Sequence, residues 1–227
     1  VKLDAPTVFI KRPKTPDGSN ASKQEPKPVK TSDKNKPAVS GLQAFGSWVV
    51  SGFRHVLPLG LDHMLFIFGL FVAVLSLRPM WWQSLLFTLA HSLTLALCAL
   101  GWIALDAKLV EILIALSIAF IGIEDLCGLK VGKRRYVLVV LFGLVHGMGF
   151  ANVLAEKIHG LDKTQLVKPL LGFNLGVEIA QIVVILLSAM LFALVPKKHK
   201  KTAQRIGAAI VALGGLAWLV LRAKDYF

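Results

Sequence analysis

His55-Val-Leu-Pro-Leu-Gly-Leu-Asp62-His63-Met-Leu-Phe66 sets two imidazoles and a carboxylate into the leading edge of a long apolar run. A charge at the centre of a membrane helix costs at least ~2.5–3.5 kcal/mol, so ionisable groups in such a run mark function by default. The run extends over residues 46–77. About 32 helical residues at ~1.5 Å each would reach ~48 Å, against a hydrocarbon core of ~30 Å. Pro58 removes a backbone donor and Gly60 relaxes the turn, so the excess length predicts a break there. The expectation is a short amphipathic or re-entrant piece to about Leu57, a break, and then the first spanning helix. Backbone groups freed in the break are tolerable only if they face protein or a wet cavity.

Five more apolar segments follow, at 82–104, 108–126, 135–156, 167–195 and 203–222. The chain of 227 residues is 55% hydrophobic, with a mean hydropathy of +0.65. The runs are long enough to span a bilayer, and short basic stretches separate them. The predicted fold is all-α and integral to the membrane, with six transmembrane helices, the first one broken. Residues 46–227 form that domain, and residues 1–45 form an extracytoplasmic tail. In the tail, Val8-Phe9-Ile10 is a β-prone patch, read as the last strand of a preceding domain. Residues 11–40 are rich in Lys, Pro, Ser, Asp and Asn and read as a disordered linker, since they bury too little apolar area to fold alone. The chain begins at Val1 with no signal-peptide pattern, as a processed chain or the back end of a longer one would.

The net charge of +13 collects in the tail and the short loops, without nucleic-acid motifs or interleaved aromatics. It therefore argues for positive-inside topology and contact with anionic lipids, not for a nucleic-acid partner. Lys130, Lys133, Arg134 and Arg135 follow the third segment; Lys197, Lys198, Lys200, Lys201 and Arg205 follow the fifth. Both loops are expected in the cytoplasm, which puts the N-terminus outside. Cys98 and Cys127 show no metal or redox spacing.

Ionisable groups recur at matching depth. His63 lies about eleven residues past Gly52, His91 about ten past Trp81-Trp82, His146 about eleven past Arg135 and Glu178 about ten past Lys168, each about 15 Å into a ~30 Å core. Four segments thus bring such groups to one level, which predicts a shared midplane site. On an unbroken helix His55 and His63 would stand ~12 Å apart, too far for one ion bound at ~2.0–2.1 Å, but a break at Pro58/Gly60 could fold them together. Asp62 and His63 point ~100° apart, so one can coordinate while the other orients a partner. Asn174, Glu178 and Gln181 fall at i, i+4 and i+7, a polar stripe expected to face the interior, with Asn174 and Gln181 behind the ligands. Gly143, Gly147, Gly149, Gly172 and Gly176 suit close helix approach. Ser92 and Thr94 are expected to be satisfied by hydrogen bonds. Glu124 and Asp125 read as solvated at the interface, and Glu111 as a helix cap or a group at an entrance. His159 and His199 fall in loops.

The blocks Gly60-Leu-Asp-His-Met-Leu-Phe, Ala90-His-Ser-Leu-Thr, Leu109-Val-Glu-Ile-Leu-Ile-Ala-Leu-Ser, Phe142-Gly-Leu-Val-His-Gly-Met-Gly-Phe-Ala and Gly172-Phe-Asn-Leu-Gly-Val-Glu-Ile-Ala-Gln resemble the HupE/UreJ membrane proteins over about 46–195. The resemblance is to the branch in which an exported N-terminal region precedes the membrane unit. It implies a nickel/cobalt permease-like protein of the bacterial inner membrane, and implicates His55, Asp62, His63 and His146, with His91 and Glu178 in branch-specific blocks. One spacing differs: nickel/cobalt permeases at large set their first histidine nearer the Asp-His pair than His55 stands here.

The leading expectation is a permease for a divalent transition metal (Ni, Co, Zn or Cu), held by His55, Asp62, His63, His91, His146 and Glu178. This sequence carries no ATP-binding motif, which leaves the metal gradient, the membrane potential or coupled protonation as driving forces. The alternative is an intramembrane zinc hydrolase with the same ligands, Glu178 as general base and Ser92 as oxyanion stabiliser. A third reading is an anchor whose polar stripe only joins helices.

Overall fold

The computed structural model describes residues 41–129, 131–150 and 165–226. The expected β-prone patch and linker, and also Lys130 and His159, lie outside them. The described residues form seven α-helices and no strand. These are α1 (Gly41–Val56), α2 (Leu61–Val74), α3 (Leu77–Ala99), α4 (Ala107–Leu126), α5 (Lys133–Gly149), α6 (Val167–Ala193) and α7 (Lys200–Tyr226). A 3₁₀ turn, Lys197–His199, leads into α7 and leaves His199 exposed.

The first apolar run is broken where its excess length requires. Leu57–Gly60 separates α1 from α2, whose axes differ by 68°. Pro58 has no N–H to continue the α1 ladder, and Gly60 lies so close to the His55 carbonyl that a β-carbon would collide with it. Leu42, Ala44 and Phe45 carry the helical pattern back to Gly41, inside the stretch assigned to the tail.

The next boundary differs from expectation. The turn between α2 and α3 is only Leu75-Ser76, with Leu75 in the left-handed region (φ 45°). Arg78, Pro79, Met80 and Trp81, which fall between the first two apolar segments, are already helical. Pro79 is the third residue of α3, within the first turn, where a missing N–H costs no intrahelical bond. At the other end Gly101 (φ 73°) turns the chain toward Asp106, which caps α4 by accepting from the Leu109 N–H at 3.0 Å. Asp106, not Glu111, is therefore the cap.

Three close helix pairs, α4 with α7, α1 with α6 and α3 with α5, all contribute neighbours to α2. Glycines line each contact: Gly122 and Gly215, Gly52 and Gly176, Gly143 and Gly147 all face backbone of the partner helix. Polarity is inverted relative to a water-soluble bundle. Ser84, Thr88, His91, Thr94, Ser117, His146 and Gln181 are buried, while Leu89, Leu93, Leu141, Leu175, Leu187 and Leu213 face outward. Lipid is the solvent that suits such a surface. Among the described residues three helices are long and apolar enough to cross a membrane, Leu77–Ala99, Val167–Ala193 and Lys197–Tyr226, or four if α1 and α2 count as one bent span.

One charged cluster departs from the expected solvated ends. Glu124 is buried and Asp125 half-buried, and both are paired: Arg135 Nη1 reaches Glu124 Oε2 at 2.6 Å and Asp125 Oδ1 at 3.0 Å, and Arg134 pairs with Glu124. Arg135 itself is 2% exposed. Buried carboxylates at a helix end demand partners, and the first turn of α5 supplies them.

Candidate metal centre

The break gathers the histidines. His55 occupies the last turn of α1 and His63 the first turn of α2, and with the chain bent between them their ring centroids lie 4.6 Å apart. His91 comes from the middle of α3, with its ring 6.1 Å from His55 and 5.9 Å from His63. One nitrogen from each of His55, His63 and His91 can be chosen so that all three lie within 4.8 Å of one another. Tetrahedral coordination at ~2.0–2.1 Å sets donor nitrogens roughly 3.4 Å apart, so a short inward closure would complete three ligands.

The donor set suits a borderline cation. His63 Nε2 and both nitrogens of His91 are buried and have no hydrogen-bond partner among the described residues. Unsatisfied lone pairs in a dry interior cost free energy, and a metal ion is one group that relieves it.

His146, on α5, stands beside this trio, 5.0 Å from His63 between ring centroids. Its Nε2 is 3.0 Å from Ser117 Oγ, which in turn is 2.7 Å from the Ile114 carbonyl oxygen. The hydroxyl has one hydrogen and the carbonyl can only accept. The network therefore assigns the proton to Nε2, donating to Ser117, and leaves Nδ1 with a lone pair. Nδ1 has no hydrogen-bond partner among the described residues.

The remaining candidates fall elsewhere. Asp62 turns to Arg222, whose Nη2 lies 2.8 Å from its Oδ2. The stripe on α6 faces α3, and Gln181 is fully buried. Gln181 Oε1 accepts from Ser84 at 2.5 Å and lies 3.0 Å from Thr88 Oγ1, which is also 2.9 Å from Glu178 Oε2. Asn174 Oδ1 is buried, with no hydrogen-bond partner among the described residues. Ser92 donates to the Thr88 carbonyl at 2.6 Å, and Thr94 ties α3 to α5 through the Leu144 carbonyl at 2.8 Å. Neither Glu178 nor Ser92 joins the three imidazoles, so no observation favours the hydrolytic arrangement.

A cleft of about 680 Å³ opens onto the histidines, lined among others by Arg54, His55, Asp62, His63, Glu111, His146 and Arg222. A second, of about 670 Å³, lies where the opposite ends of α2, α4, α5 and α7 meet, around Asp125, Tyr136, Lys201, Gln204 and Arg205. Between them lies a layer of phenyl rings. Phe66 is 5.0 Å from Phe87 and 6.1 Å from Phe142, and each belongs to a helix that also carries a site histidine. Phe66 follows His63 by three residues, while Phe87 and Phe142 precede His91 and His146 by four. The direction of each helix puts its ring one turn beyond its histidine, toward the second cleft.

Arg222, Ser117, Ser84 and Thr88 were not singled out by sequence. Arg222 closes the last apolar segment and reads there as a boundary charge, with its partner 160 positions away. Hydroxyls such as Ser117 are common in membrane helices and gain meaning only from what they face.

Polar side chains turned inward, leucines turned outward and helices long enough to cross a bilayer define the class: a helical membrane protein. The chain matches the HupE / UreJ protein family model over residues 31–222, and it belongs to that family. The match runs beyond the sequence blocks at both ends and reaches Arg222. No curated protein and no solved structure matches the chain.

Proposed function

We propose that this protein is a permease for a divalent transition-metal ion of the nickel or cobalt kind, working in the bacterial inner membrane. The observation that carries the proposal is the convergence of His55, His63 and His91 from three helices, with His55 and His63 lining a cleft and His91 buried behind them. Neutral imidazoles bind such ions without taking a fixed negative charge into the membrane, and bind sodium or magnesium poorly. His146, 5.0 Å from His63 between ring centroids and outside the group of mutually close donors, would join through Nδ1 only on a further inward shift, and Asp62 beside His63 offers a balancing charge. A hydrated cation entering the cleft would exchange water for nitrogen, and release to the other side would require the phenyl layer to part.

In this reading α4 and α5 also cross the membrane, giving six spans with the bent α1–α2 pair as the first. The charges that weaken α4 as a span lie at its ends, where Glu124 and Asp125 are paired. The N-terminal tail is then outside, the site near mid-membrane, and the basic turns face anionic lipid on the cytoplasmic side.

The test is uptake of Ni²⁺ and Co²⁺ into proteoliposomes containing a metal-sensitive dye, with calorimetric titration of the purified protein. Flux and near-stoichiometric binding are expected, both lost in His63→Ala and His91→Ala. Metal bound without flux, or flux unaltered by both substitutions, would overturn the proposal.

A further inference from the structure

The cleft contains a cation that belongs to the protein. Arg222 reaches in from α7. Its Nη2 lies 2.8 Å from Asp62 Oδ2, its Nη1 donates to the Glu111 backbone carbonyl at 3.0 Å, and its Nε stands 3.8 Å from Glu111 Oε2. The guanidinium carbon lies 5.8 Å from the centroid of the Trp218 ring. The side chains of Arg222 and Asp62 are 21% and 25% exposed, so water only partly screens their pairing. The other Asp62 oxygen, Oδ1, is buried with no hydrogen-bond partner among the described residues. Asp62 immediately precedes His63 and lines the same cleft as His55, His63 and Arg222, so one carboxylate is shared by the surroundings of a guanidinium and of the imidazoles.

Resting on the reading of the trio as a metal site, we infer that Arg222 is a tethered counter-ion that yields Asp62 to the incoming metal. Between loading events the guanidinium neutralises Asp62 and ties α7 to α2 at the edge of the open cleft. A divalent ion at the imidazoles attracts the carboxylate about twice as strongly as a guanidinium at equal distance, and it repels Arg222. Loading therefore shifts Asp62 toward the metal and releases Arg222, so that occupancy of the site loosens α7 at the mouth. Arg222 is a positioning residue in this scheme, acting through Asp62. The Glu111 carbonyl and the Trp218 ring keep the displaced guanidinium nearby, ready to reclaim Asp62 once the ion has left.

The sign of two substitutions separates this role from that of a structural brace. Losing either partner of a brace harms the site in the same direction. Here Asp62→Asn should weaken Ni²⁺ binding, whereas Arg222→Gln should strengthen it, on the order of tenfold at low salt, by removing a like charge and a competitor. The gain should shrink in the double variant, because no carboxylate is left to liberate. Calorimetric titration of the full chain in nanodiscs reads these constants. Equal or weaker binding in Arg222→Gln, with wild type still binding, overturns the inference alone. Absence of binding in wild type overturns the permease reading and this one with it. Hydrogen exchange on the unaltered protein tests the same point without a variant. Added Ni²⁺ should speed exchange near the C-terminal end of α7, and unchanged or slowed exchange there would count against displacement.

Discussion

At the level of single residues, Ser117 has one hydroxyl hydrogen and two polar neighbours, and that shortage decides which nitrogen of His146 keeps a lone pair. Replacing Ser117 by Ala removes the acceptor for Nε2–H, so the ring loses both its tautomer preference and its orientation. Outer partners of this kind are typically worth ~10–100-fold in metal affinity. Ser117→Ala should therefore lower Ni²⁺ affinity within that range and lower the melting temperature modestly, by the cost of one unpaired buried donor, as calorimetric titration and a thermal scan would show. Arg135 makes the opposite case, a charge whose importance is structural. Removing one partner of a buried ion pair leaves the other uncompensated, at a cost of ~3–5 kcal/mol. Arg135→Ala should thus lower stability by about that amount in a denaturation series, while Arg134→Ala, at a side chain 55% exposed, should do little. Sequence grouped Lys130, Lys133, Arg134 and Arg135 as one basic loop because charge counting has no term for burial. The histidines were legible for the converse reason: an imidazole inside an apolar run is costly wherever the helix turns it, so its presence signals a use before any geometry is known.

At the level of the element, the bend between α1 and α2 makes the trio, and Gly60 is its tightest point. A β-carbon there would run into the His55 carbonyl. Backbone cannot yield as a flexible side chain can, so Gly60→Ala should push α1 away from α2 and separate His55 from His63. Metal affinity should fall at least about tenfold, the lower end of what disturbing the surroundings of a ligand costs. Far-UV circular dichroism should be unchanged, because neither helix depends on the contact. Undiminished affinity in Gly60→Ala would show that His55 is dispensable to the site. This break could be foreseen because it follows from a length mismatch, a global quantity that sequence records. The tight Leu75-Ser76 turn could not, because it carries neither glycine nor proline and its left-handed residue is a leucine. The same limit applied to the α6 stripe: its spacing showed that Asn174, Glu178 and Gln181 share a face, but not that Ser84 and Thr88 on α3 would meet them.

At the level of the whole molecule, two clefts of similar volume approach from opposite ends and do not meet. The histidines face one of them. Phe66 and Phe87, 0% and 1% exposed, pack against His146 at 5.0 and 5.2 Å on the side of the other. For a permease this arrangement is one end of a cycle, open to the first cleft and sealed toward the second, with the seal one helical turn beyond the ligands. A seal of phenyl rings bars a hydrated cation without binding it, since it offers no donor atoms and no room for the hydration shell. Its integrity depends on volume, not on charge. Phe66→Leu and Phe87→Leu, which keep much of the bulk, should retain coupled uptake. Phe66→Ala with Phe87→Ala should leave a continuous wet path and admit Ni²⁺ without saturation. Dye-loaded proteoliposomes distinguish the two outcomes: a saturable initial rate for the leucine variants, and a rate rising linearly with metal concentration for the double alanine variant. Saturable uptake in a folded double alanine variant would place the seal elsewhere along the bundle. The layer recurs as His63 with Phe66, His91 with Phe87, and His146 with Phe142, so α2, α3 and α5 each carry a histidine and a stopper one turn apart. Any sliding or tilting of one helix must then move both together, which ties the opening of the far side to a change at the imidazoles.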